Sequence, residues 1–130
     1  MSKNIERSKI SLKNFDKALA ALSVSVATPA VEPRDLSGII KDFEIVYELT
    51  WKTLKKFLEE QGHETTSARD VFSKGFQLSI LESQEPWLEM IADRNLTVHT
   101  YDENLASQMV SRIKNVYVVC FVQLQKKLKS

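Results

Sequence analysis

Apolar residues recur along most of this chain at steps of three and four, the spacing that lines up one face of an α-helix. In the first segment Ile5, Leu12, Phe15, Leu19, Leu22 and Val26 form one stripe, which predicts a helix over residues 5–26. Lys3, Arg7, Lys9, Lys13 and Lys17 lie mostly off that stripe and are expected in solvent. Prolines bracket the gap from Thr28 to Pro33 and break the pattern. A second helix, starting near Pro33 or Asp35, carries Leu36, Ile40, Phe43, Tyr47, Trp51, Leu54 and Leu58 on one face. It stops at Gln61-Gly62, where a glycine can take the left-handed conformation that ends helices. At about 25 residues it spans close to 40 Å.

Shorter pieces follow. Ser67 fits the N-cap of a third helix reaching about Gln77, with Asp70 at the capping-box position. A turn is expected over residues 79–85. Pro86 suits the first turn of a fourth helix with Trp87, Leu88 and Ile91 as its apolar face. Asp102 fits the N-cap of a last helix running to about Lys127, with the stripe Leu105, Met109, Ile113, Val116, Cys120 and Leu124. Residues 116–122 are β-branched enough to suggest a strand. However, no glycine or proline follows Pro86, and both flanks carry the helical pattern. A helix apolar on nearly all sides is instead expected between two surfaces, the protomer's own core and a second protomer. Lys126, Lys127 and Lys129 suit the negative end of its dipole. The expected fold is all-α: an antiparallel up-down bundle of three long and two short helices, a single domain over residues 1–130, dimeric through the last helix or a neighbour.

Composition narrows the function classes. Three glycines and three prolines in 130 residues leave little room for the turns of a β-sandwich. A net charge of +1 excludes a uniformly basic nucleic-acid coat, though not a local basic cleft. The single cysteine, Cys120, rules out an internal disulfide or a CxxC metal site; its apolar surroundings predict a buried thiol. No apolar run is long enough for a membrane span. Residues 18–30 imitate a signal peptide, but seventeen polar-rich residues precede them, and a cytoplasmic location is expected. Phe43, Tyr47, Trp51 and Phe57 are read as core rather than as an aromatic box. Lys52, Lys55 and Lys56 are read as a solvated face.

Candidate chemistry concentrates in one octet. His63 follows Gly62 in a polar turn, outside any HExxH pattern, and is expected in solvent. No phosphate-binding glycine loop occurs, and no acidic cluster has metal-ligand spacing. Between the fourth and fifth helices, Arg94-Asn95-Leu96-Thr97-Val98-His99-Thr100-Tyr101 brings together a guanidinium, a carboxamide, an imidazole and a phenol. Arginine offers a permanently charged planar fork for phosphate. Histidine can pass a proton near neutral pH. The start of the fifth helix is expected to add backbone N–H donors. A purely structural alternative is that Arg94 caps the fourth helix, His99 bonds a carbonyl and Tyr101 packs.

The pattern Arg94-Asn95-x3-His99-x-Tyr101-Asp102 resembles the signature of HEPN domains, in particular the HepT-type toxins, also described as nucleotidyltransferase substrate-binding proteins. The similarity extends to Lys41-Asp42-Phe43-Glu44, to Trp51-Lys52-Thr53-Leu54 and to Trp87–Met90, covering roughly residues 5–128. The resemblance implies a helical bundle whose two-fold dimer joins both copies of Arg94 and His99 in one cleft. It implies a metal-independent ribonuclease without cofactor, acting on RNA, with tRNA one candidate target. It implies a small nucleotidyltransferase as partner and antitoxin, which silences the cleft by adenylylating Tyr101. Catalytic roles then fall on Arg94 and His99, with Asn95 in support. The alternative is a non-catalytic subunit that binds substrate or nucleotide for a nucleotidyltransferase.

Overall fold

The computed structural model describes the backbone of residues 2–130 and the side chains from residue 7 onward, so the expectations for Lys3 and Ile5 lie outside the described side chains. The elements are α1 (Ser2–Ala27), α2 (Pro33–Glu60), α3 (Ala68–Gln77), α4 (Glu85–Leu96), a 3-10 turn (Thr97–His99), α5 (Glu103–Arg112), a π-helical stretch (Ile113–Tyr117) and α6 (Val118–Lys129). The last three join into one continuous helical run, and no strand occurs among the described residues.

Local chemistry sets the ends. The Asp35 carboxylate accepts from the N–H groups of Val31 and Glu32, both at 2.9 Å, and starts α2 behind Pro33. Gly62, at φ +84°, ends it: its N–H reaches the Glu59 carbonyl, and the His63 N–H reaches that of Leu58. These two bonds make the six-to-one and five-to-two closure of a Schellman motif. Ser67 caps α3 by accepting from the Asp70 N–H at 3.1 Å. The Asp70 carboxylate reaches back one residue further than a capping box requires, to the Thr66 N–H.

α1 and α2 run antiparallel, fastened by Ser8–Glu60, Ser11–Thr53 and Ser25–Asp42 hydrogen bonds. α4 runs back along α2, and the α5–α6 run returns past α1, where Gln125 and Lys129 both reach Asp16. The result is an up-down-up-down bundle with α3 inserted in the α2–α4 connection. Its centre is aromatic. Phe43 stacks on Tyr117 at 5.4 Å, Phe72 meets Trp87 at 5.0 Å, and Phe15 and Trp87 meet Phe121 edge-on. Phe43 and Tyr47 belong to this core, and Trp51 and Phe57 flank it. Cys120 is buried, and burial pushes its thiol up.

Three expectations about faces are corrected. On the last helical run Val116 points outward and Tyr117 inward, because Tyr117 stacks on Phe43 and bonds to a carboxylate on α4. On α4 the inward residues are Trp87, Met90 and Asp93, with Leu88 and Ile91 half-buried. His63 is half-buried in its turn rather than fully in solvent. No helix among the described residues is long and apolar enough to cross a membrane.

Candidate functional site

The octet begins in the last turn of α4, continues through the 3-10 turn and ends at the N-cap of α5. Arg94 is half-buried and turned toward α2. Its Nε lies 3.4 Å from Glu48 Oε1, and its Nη1 lies 3.4 Å from Glu44 Oε2 and 3.3 Å from Thr97 Oγ1. Glu44 and Glu48 are one helical turn apart, so both can face a single guanidinium. The Thr97 hydroxyl reaches Glu44 Oε2 as well as the Arg94 carbonyl, and the Trp51 indole N–H donates to Glu48. One cation therefore sits among two carboxylates. Nη2 takes part in none of these contacts.

His99 and Tyr101 stand together on the exposed side. The Tyr101 hydroxyl is 3.5 Å from His99 Nδ1, and the rings meet edge-on at 6.0 Å. Tyr101 is 83% exposed and Val98 70%. Asn95 is exposed, and its side chain makes no hydrogen bond with the described residues. No described contact joins Arg94 to His99 within one chain. The structure thus pairs His99 with Tyr101 and pairs Arg94 with α2.

Within one chain the octet differs from the purely structural reading at two residues: Tyr101 is exposed, and the His99 ring faces the Tyr101 hydroxyl rather than a carbonyl. The expected anion site at the start of α5 is also corrected. Asp102 Oδ1 accepts from the N–H groups of Asn104 and Leu105, so the capping carboxylate already occupies those donors. Among the described residues no three His, Cys, Asp or Glu side chains converge as metal ligands. Lys55 pairs with Glu59, and Lys52 is exposed.

Several residues at the site escaped the sequence pattern. Glu44 and Glu48 were hidden because they flank the apolar stripe of α2 like any solvated charge. Asp93 carried a signal: it continues the inward series Trp87, Met90 at a step of three, and a carboxylate at a core position needs a partner. Beside the octet, Lys41, Glu44, Ile45, Glu48 and Leu49 line an open cavity of about 430 Å³ on α2, with Ile45 46% exposed.

With this geometry in hand, likeness to known proteins becomes specific. Residues 10–130 match the family described as nucleotidyltransferase substrate binding protein like. A Haemophilus influenzae protein named "Probable ribonuclease HepT" is 26% identical over 88 residues, covering 64% of this chain and 60% of that protein's length. A Thermus thermophilus protein of known crystal structure superposes with a TM-score of 0.83 at 32% identity, over 89% of this chain and 99% of that one. A second solved structure, from Haemophilus influenzae and described as the fold of a substrate-binding domain of a nucleotidyltransferase, superposes equally well, with a TM-score of 0.83 over 92% and 99% of the two chains. At 24% identity it speaks to the fold. The match over nearly the whole chain, on a bundle that presents Arg94, His99 and Tyr101 at one end of α4, places this protein in the nucleotidyltransferase substrate-binding protein-like family.

Proposed function

We propose that this chain is the ribonuclease, HepT-like component of a cytoplasmic toxin–antitoxin pair whose other member is a small nucleotidyltransferase. Its 130 residues act as one bundle domain. The observation that carries the reading is the side-by-side, solvent-facing placement of His99 and Tyr101 just beyond Arg94. The relative named as a ribonuclease supports it.

The RNA 2′-hydroxyl attacks the adjacent phosphorus, and the bond from phosphorus to the 5′-oxygen breaks. His99 takes the 2′-proton or protonates the leaving 5′-oxygen, and His99 of a second copy fills the complementary role. Arg94 Nη2 donates to the phosphate as charge builds there, while Glu44 and Glu48 hold the rest of the guanidinium in place. Asn95, free in solvent, contacts the same phosphate. The products are a 2′,3′-cyclic phosphate and a 5′-hydroxyl, and the step uses no metal or cofactor. The second copy docks through the exposed strip beside the site, centred on Ile45. An adenylyl group on Tyr101 would put an anion and bulk against His99 and close the site to RNA.

A second reading, a non-catalytic subunit that holds substrate for the nucleotidyltransferase, is favoured by one observation: Arg94 already has two carboxylate partners. End-group analysis separates the two. Cyclic-phosphate ends, formed by the wild-type protein and lost once its nucleotidyltransferase and ATP have modified Tyr101, support the ribonuclease. RNA left intact by unmodified protein that still captures the nucleotidyltransferase supports the subunit.

A further inference from the structure

Beside Arg94, the last turn of α4 carries a carboxylate that the proposed reaction does not use. Asp93 is 3% exposed. Its Oδ1 accepts from Arg112 Nη2 at 2.8 Å, and its Oδ2 accepts from Arg112 Nε at 2.8 Å and from the Tyr117 hydroxyl at 2.5 Å. Arg112 and Tyr117 are five residues apart, which in a regular α-helix puts them about 140° from each other. Here the Val118 N–H bonds the Ile113 carbonyl five residues back, so the helix is widened over Ile113–Tyr117. Widening brings residues five apart closer to the same face, and both side chains reach one carboxylate. Such π-turns are rare and recur at functional sites.

A buried ion pair is a weak source of net stability, because desolvation offsets much of the attraction. What the arrangement does supply is direction. Successive residues on a helix point about 100° apart, so Asp93 faces the last helical run while Arg94 faces α2. The final turn of α4 is therefore held from two sides, and the 3-10 turn bearing Thr97 and His99 hangs from it.

We propose that Asp93, Arg112 and Tyr117 form a positioning set that fixes the last turn of α4 and thereby aims the Arg94 guanidinium and places the His99 turn. This rests on the reading that Arg94 and His99 act on an RNA phosphate, and it adds the residues that orient them.

The test uses the full chain with Tyr117→Phe and Asp93→Asn. Asp16→Asn, which loosens the Gln125 and Lys129 contacts on α1, serves as the control. Proton–nitrogen NMR reads the Arg94 Nε–H and His99 ring signals without any need for activity. Both signals shift in Tyr117→Phe and Asp93→Asn and stay in place in Asp16→Asn, while the Leu22 backbone amide signal stays put in all three. In RNA cleavage, Tyr117→Phe lowers kcat by about tenfold or more with KM nearly unchanged, the signature of misaimed groups rather than lost binding. Unmoved Arg94 and His99 signals in a folded Tyr117→Phe protein overturn the proposal, whatever Asp93→Asn does. A wild type that cleaves no RNA sinks the ribonuclease reading instead, and the NMR comparison still decides the positioning role.

Discussion

Charge placement around two adjacent residues decides what this site can do. Asp93 and Arg94 are neighbours in sequence, yet one carboxylate is buried against Arg112 and Tyr117 and the other group is held half-open between Glu44 and Glu48. Substitutions in the buried Asp93 cluster and on the exposed side of the site should therefore differ sharply in denaturant titrations. Asp93→Ala strands Arg112 and should cost about 3–5 kcal/mol. Tyr117→Phe removes one bond to a charged group and should cost about 1.5–3 kcal/mol. His99→Ala, which removes an exposed ring bonded only to Tyr101, should stay within about 0.5 kcal/mol of wild type. Equal losses for Asp93→Ala and His99→Ala would mean that the Asp93 cluster is not the anchor described. The octet was legible in sequence because its groups are crowded into eight consecutive positions. The partners of Arg94 and Asp93 were not, since they come from α2 and from a helix whose π-turn leaves no mark in composition.

Among the helices, the ends were the most readable feature and the faces the least. Gly62, Ser67 and Asp102 act through bonds within a few residues and Pro86 through its own fixed φ at the start of α4, so their sequence signals carried over to the structure. The choice between Val116 and Tyr117 depended on Phe43 and Asp93, which lie far off in sequence. α2 has the most to do: one face packs into the core, one carries Glu44 and Glu48 to Arg94, and the strip around Ile45 remains open. Replacing Ile45 with Glu should leave the helix content unchanged, convert a dimer to a monomer in light scattering, and reduce RNA cleavage with it. A dimer that persists in Ile45→Glu would move the interface elsewhere, with the exposed Val116 and Val119 of the last helical run the place to look.

The whole bundle is tied to its aromatic core, and that core carries two buried phenols. Burial pushes the Tyr47 hydroxyl up to about 12 and raises that of Tyr117 further, with the adjacent Asp93 adding to the latter. Both stay neutral in the folded chain above pH 10, where an unfolded tyrosine ionises. The unfolded state then binds fewer protons, so stability present below about pH 10 is lost as pH rises, at up to about 1.4 kcal/mol per pH unit for each phenol. Denaturation midpoints should fall above that pH, and Tyr47→Phe should blunt the fall; a flat profile would show that these phenols are not shielded. The proposed function requires that His99, set beside Tyr101 in the turn after α4, transfer a proton in metal-independent RNA cleavage. The most direct measurement is cleavage of total tRNA and other RNA by the purified protein, with and without EDTA, alongside His99→Ala. Cleavage that survives EDTA and disappears in a folded His99→Ala protein is the predicted result. Equal cleavage by the two proteins, or none by a wild type whose intact mass shows a bare Tyr101, would contradict it.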